Sequence, residues 1–293
     1  MDLTELFCDV DDFVKLHQHN SPKQIKNSEN KKKYFRSSKL SNSEIITIII
    51  AYHQSGYKNF KYFYLEHVFK YLSRQFPQLV SYNRFVELMS SVTILLTDYL
   101  ISKFGKNTGI SYIDSTPIQV CKPKRMNRNK VFKGIATKSK STIGWFFGFK
   151  LHLIINECGE LLSVNLSKAN VDDRTPVFGM AKKIMGKLFG DKGYISQELT
   201  QKLLQNGLQL ITNIKNNMKN RLLFTVDKIL LRKRSIIETV NDQLKNISDI
   251  EHSRHRSCKN FIINLLGALI AYAIKPKKPG ITGINRENLA MIN

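Results

Sequence analysis

The sequence is short of acid and lacks any cysteine pattern, and each scarcity closes off a class of function. Only 23 Asp and Glu stand against 46 Lys and Arg in 293 residues, a formal charge of +23. A field of that sign attracts polyanions and is extreme for a protein that meets only small metabolites. Cys8, Cys121, Cys158 and Cys258 lie far apart with no C-x2-C pair, which argues against a zinc ribbon or a disulfide framework and for reduced thiols. No basic stretch followed by an apolar run opens the chain, so no secretory signal is expected. The longest apolar run, 261–274, is interrupted by Asn264 and Gly267. It falls short of the roughly 18 residues of a membrane span and reads as a core helix. A soluble, cytoplasmic protein with no membrane partner is expected. Nucleic acid is the leading partner, because no basic amphipathic helix points to an anionic membrane surface.

The length allows two domains and a sizeable core. Residues 1–107 read as helical. They include a basic stretch, Lys31-Lys32-Lys33-Tyr34-Phe35-Arg36, that is either an arm or a helical lead-in. Ser43 is the expected N-cap of a helix carrying Ile45, Ile46, Ile48, Ile49 and Tyr52 up to Ser55-Gly56. Further helices are expected from Asn59 to about Phe69 and from Ser81 toward Leu100. This block is either a DNA-binding unit of helix-turn-helix type or a helical cap on the next domain, and its charge favours DNA.

Residues 108–275 read as a mixed α/β layer fold. A strand around 111–120 precedes a hairpin of strands over 144–156 and 160–170, turning at Glu157-Cys-Gly159. A helix over 174–185, a strand over 187–191, a helix over 197–205 stopped by Gly207, and a strand over 208–214 follow. A polar loop over 215–219 leads to helices over 226–245 and 260–274. Residues 276–293 read as a flexible tail after Lys275-Pro-Lys-Lys-Pro-Gly280.

Three acids stand out by placement. Asp114 sits in an apolar, β-branched strand, where an unpaired charge is normally neutralised, paired or bound to metal. Asp191 closes a strand before Gly193, and Glu238 lies on the long helix. Carboxylates in such a set suit phosphoryl transfer with two divalent ions, and oxygen-only ligation favours Mg2+ or Mn2+ over zinc. Arg234, Glu238 and Lys245 share one helix face. That face either joins a metal ligand to two phosphate-holding cations or is an ordinary solvated salt-bridge stripe.

The stretch from Cys121 to Lys140 has no acid and carries Lys122, Lys124, Arg125, Arg128 and Lys130 among its cations. Contact with a phosphate backbone is the favoured reading over a solvated loop. Lys150 and His152 point to one side of their strand; Lys150 is read as a phosphate contact and His152 as a core or surface histidine. Asp172-Asp173 competes for the role of second acid, although a helix N-terminus explains acids there. Asp242 is a possible auxiliary ligand. His252, Arg254, His255 and Arg256 form a basic cluster after the Glu238 helix.

Arg234-x3-Glu238-x6-Lys245, Asp191-Lys-Gly-Tyr194 and Tyr112-Ile-Asp-Ser-Thr-Pro117 together resemble the DDE transposases of bacterial insertion sequences. The helix signature of that superfamily is Tyr-x2-Arg-x3-Glu-x6-Lys, and here Leu231 stands at the Tyr position. With Ser81-Tyr-Asn-Arg-Phe85 and acid spacings of 77 (114 to 191) and 47 (191 to 238), the resemblance is closest to the insertion-sequence 982 family. It implies an RNase H-like catalytic domain preceded by an all-helical N-terminal domain. Asp114, Asp191 and Glu238 would be both catalytic and metal-binding, with two Mg2+ or Mn2+ ions. Double-stranded DNA would be the partner, in a homo-oligomeric complex in the bacterial cytoplasm. Binding of terminal inverted repeats, cleavage and strand transfer follow from it. A metal-dependent nuclease without joining, and an inactive transposase-derived DNA-binding protein, are the competing functions.

Overall fold

The computed structural model describes residues 2–20, 38–142, 144–214, 223–251 and 255–281. The chain divides into two compact units: Met1–Lys103 with Ile247–Lys275, and Phe104–Asn246 with Pro276–Asn293. Helix Cys258–Ala273 thus belongs to the first unit and not to the expected 108–275 block. Its apolar surface runs nearly all round, from Phe261 and Ile263 to Leu269 and Ile270, all buried. Such a helix needs partners on every side.

The regular elements described in the first unit are helices joined by turns. Helix Leu3–Asn20 is tied to helix Tyr82–Ser102 by Asp9, which accepts from the Tyr99 hydroxyl at 2.6 Å and pairs with Lys103 Nζ at 2.6 Å. Helix Asn42–Gln54 is capped two residues before the expected Ser43. Ser41 and Glu44 close a reciprocal capping box, whereas Ser43 is buried and donates to Asp11 at 2.7 Å. A helix over 60–71, widened at Phe63–Val68, packs Tyr64 on Phe85 with ring centroids 4.7 Å apart. Tyr82–Ser102 alone among the described helices is long and apolar enough to cross a membrane. Phe85, Met89, Val92, Leu96 and Tyr99 recur along it at three- and four-residue spacing, and all are buried, which is the pattern of a core-facing stripe. A Cβ on Gly267 would stand 2.8 Å from Ile49 Cγ2, so only glycine lets helices Cys258–Ala273 and Asn42–Gln54 approach this closely.

The second unit is built on a six-stranded mixed sheet: β1 (Ile110–Cys121), β2 (Thr137–Ser141), β3 (Gly144–Asn156), β4 (Leu161–Lys168), β5 (Gly186–Gly190) and β6 (Leu208–Thr212). The order is β2-β3-β1-β5-β6, with β4 also on β3. β1, β2 and β4 run antiparallel to β3, whereas β5 lies parallel to both β1 and β6. Ile113, Ile154, Leu188 and Leu210 of the sheet pack with Val177, Leu199 and Leu203 in one core. The helix Gln197–Gln205 has the expected limits, capped by Ser196.

Three elements differ from expectation. β2 forms within the basic stretch. The 174–185 segment holds only one helical turn, Val177–Met180, because Gly179 weakens it and turns flank it on both sides. The 226–245 helix is two helices, Thr225–Arg232 and Ser235–Asp242, followed by a widened turn at Gln243–Ile247. Of the tail, residues 276–281 run beside the 157–159 turn, with the Ile281 N–H donating to the Glu157 carbonyl at 2.9 Å. The basic stretch at 31–36, the 215–219 loop, His252, Arg254 and residues 282–293 lie outside the described residues.

Candidate active site

The parallel pairing of β1 with β5 sets the first two acids. Tyr112 is opposite Phe189. Asp114 and Asp191 each lie two residues further on, so they leave neighbouring strands at the same level and on the same face. Asp191 caps the turn that follows by accepting the Gly193 N–H at 2.9 Å. A Cβ on Gly193 would stand 3.0 Å from Asp191 Oδ1, so a side chain here would press on the capping carboxylate.

Helix Ser235–Asp242 supplies the third side of the site. Ile236, Ile237 and Val240 bury its inner face, and Glu238 stays more than half exposed. Arg234, just before this helix, lies 2.6 Å from Glu238 Oε1 and 3.8 Å from Asp114 Oδ1, and so joins the two acids. Asn241 donates to Asp114 Oδ2 at 2.9 Å, while its own Oδ1 is buried without a hydrogen-bond partner. The sequence reading missed Asn241. Its signal was present: Asn241 falls at i+7 from Arg234 and i+3 from Glu238, on the same face.

Burial pushes the Asp114 carboxyl up to about 6; Arg234 opposes this, and the negative charges of Asp191 and Glu238 add to it. Burial also raises the phenol of Tyr194 well above its usual range, reinforced by the charges of Asp114, Asp173 and Asp191. Asp191 and Glu238 are therefore both within electrostatic reach of Asp114, whose own surroundings penalise its charge. Among the described residues, however, no three His, Cys, Asp or Glu side chains are gathered closely enough to hold a metal ion. The chemistry of the donor set fits a hard divalent cation, since it is all oxygen, mutually repelling and partly buried. Glu238 is turned onto Arg234, and Asn241, bonded to Asp114 through Nδ2, keeps an Oδ1 without a hydrogen-bond partner.

The other sequence candidates are dispersed. Lys150 pairs with Asp173 at 2.9 Å and donates to the Val171 carbonyl at 3.0 Å, which makes it a tie for the 171–173 turn. His152 is fully buried, with Nε2 2.7 Å from Ser167 Oγ. Asp172 is bound by Arg174, which holds its carboxyl below the usual range. Asp242 is exposed and accepts from Asn246. Lys245 lies in the widened turn after the Glu238 helix, and Leu231 is buried. Lys122, Lys124, Arg125, Arg128 and Lys130 are all exposed around the short turn of helix at Pro123–Arg128.

A mixed sheet that brings two acids to one level and a helix that brings a third is compatible with an RNase H-like DDE domain. The profile of the family described as "Transposase DDE domain" matches residues 104–258, more than half of the chain. The chain belongs to the DDE transposase family. Membership implies a metal-dependent DNA-cutting enzyme that works on DNA. No curated protein sequence matches this chain significantly.

Proposed function

We propose that this protein is the transposase of an insertion sequence of the 982 type, which binds the terminal inverted repeats of its element, cuts at their ends and joins them to target DNA. The observation that carries the reading is that Arg234 joins Asp114 to Glu238, with Asn241 on Asp114 and Asp191 at the end of the neighbouring strand, inside the segment matched by the family profile. Asp114, Asp191 and Glu238 are the residues that would hold two Mg2+ or Mn2+ ions. When bound, such ions activate water and neutralise charge on the phosphate. In the cutting step water attacks phosphorus and the strand leaves with a free 3′ hydroxyl. In the joining step that hydroxyl attacks a target phosphate and displaces another 3′ oxygen.

The chain's own groups divide the remaining work. Asn241 orients Asp114. Arg234 holds Glu238 and, on this reading, passes to a DNA phosphate when Glu238 turns to the site. Lys245 and the exposed cations Lys122, Lys124, Arg125, Arg128 and Lys130 supply backbone contacts that position the duplex without reading its sequence. The helical unit adds a second DNA contact, and the working complex is a homo-oligomer. Purified protein incubated with Mg2+, precut inverted-repeat ends and a supercoiled plasmid should give joined products. Cutting without any joined product would favour a plain nuclease.

A further inference from the structure

The helical unit contains a cavity of about 840 Å3, formed entirely by its own residues. No Asp or Glu lines it, whereas Lys58, Lys61 and Arg256 do. Tyr82 marks its wall: Lys61 Nζ stands 5.8 Å from the ring centroid, and the charge of Arg256 acts on the phenol. Tyr82 and Asn83 open the 21-residue helix Tyr82–Ser102, and Asn260 lies in the first turn of the 16-residue helix Cys258–Ala273. Both helix ends turn backbone N–H groups and partial positive charge toward this region.

His53 also lines the cavity and is only 7% exposed. Its ring is held by the helical unit itself: Nδ1 lies 3.1 Å from the Ser248 carbonyl, the Asn264 carbonyl also acts on the imidazole, and Nε2 packs against helix Cys258–Ala273 at Gly267. Burial lowers the imidazole to about 4, so the ring is neutral and adds no charge. The cavity therefore offers cations for an anion and an aromatic face for a flat ring. A bare phosphate answers only the first of these. A nucleotide answers both.

We propose that this cavity seats one unpaired nucleotide, with its base against Tyr82 and its phosphate against Lys61 and Arg256. The cavity shares no residue with the acidic trio, and the inference does not rest on the transposase reading. Ring and charge act together here, as in proteins that hold single strands by stacking within a positive groove.

The test uses the full chain and fluorescence anisotropy. A labelled five-nucleotide single strand is compared with an abasic strand of equal charge, and dAMP serves as competitor. The strand with bases should bind at least tenfold more tightly than the abasic one. Tyr82→Leu and Arg256→Gln should each remove about tenfold of that affinity. Lys202→Gln, which removes the same charge from the sheet unit, should not. Competition by dAMP supports the site with a free nucleotide as its occupant; failure to compete, with the other results in place, supports it with a strand. Arg256 is exposed, so its variant tests the site even if Tyr82→Leu fails to fold. Equal affinity for the two strands, or equal effects of Arg256→Gln and Lys202→Gln, would overturn the proposal. So would photocrosslinks from a 5-iodouracil strand that map only to the sheet unit.

Discussion

Removing the charge of Asp114 should stabilise the protein, and by a pH-dependent amount. The folded carboxyl titrates near 6, against 3.8 for an unperturbed Asp. The folded state therefore keeps its proton to higher pH than the unfolded chain does. The associated stability is fully present below pH 3.8, declines as pH rises toward 6, and is gone above it. A separation of roughly two units corresponds to about 3 kcal/mol. Asp114→Asn retains an oxygen for the Asn241 Nδ2 donor and deletes the titration. At pH 8 the variant should be more stable than the parent by about 2–3 kcal/mol, or roughly 4–12 °C in unfolding temperature for a unit of this size. Near pH 4 the difference should nearly vanish. Thermal unfolding followed by circular dichroism at the two pH values measures this. A destabilised variant at pH 8, or a gain equal at both pH values, would refute the argument that burial and the neighbouring acids strain this carboxylate.

Two further outcomes follow from the same unit. Arg234 pulls the Asp114 pKa down, so Arg234→Gln should move the midpoint above 6, read by carbon NMR of labelled aspartate; an unchanged or lower midpoint would show that Arg234 is not its effective counter-ion. Asp227 is 2% exposed and pairs with Lys187 at 2.8 Å, tying helix Thr225–Arg232 to β5. Lys187→Ala leaves that acid buried alone and should cost about 3–5 kcal/mol in denaturant unfolding, and a loss below 1 kcal/mol would mean that water reaches Asp227.

What the sequence revealed depended on how local the determining physics was. Ser81, Ser196 and Gly207 set helix limits through bonds to their immediate neighbours, and those limits were readable. Asp114 was legible as a costly acid in an apolar strand, and Asp191 by the glycine of the turn it caps. The Ser41–Glu44 box was equally local but was hidden by Ser43, a better-looking cap whose hydroxyl is used by Asp11, 32 residues away in sequence. The break at 233–234 has no proline or glycine to announce it. It places Arg234 against both Asp114 and Glu238, a tertiary arrangement that helical spacing could not disclose. Asn241 was overlooked because an amide on a helix face is usually solvated. Its role appears only once β1 lies beneath it. Lys150 looked free for phosphate until the fold brought Asp173 beside it. The partners of helix Cys258–Ala273 were likewise invisible, since an apolar run declares that it is buried but not where.

The central claim is that Asp114, Asp191 and Glu238 form the catalytic site of a DNA-joining enzyme. Asp191→Asn tests it most directly, because that residue touches its own turn and little else. With labelled element ends and Mg2+, the folded variant should lose cleavage entirely while binding those ends within about twofold of the parent. Retained cleavage, or loss of binding in step with cleavage, would contradict the account.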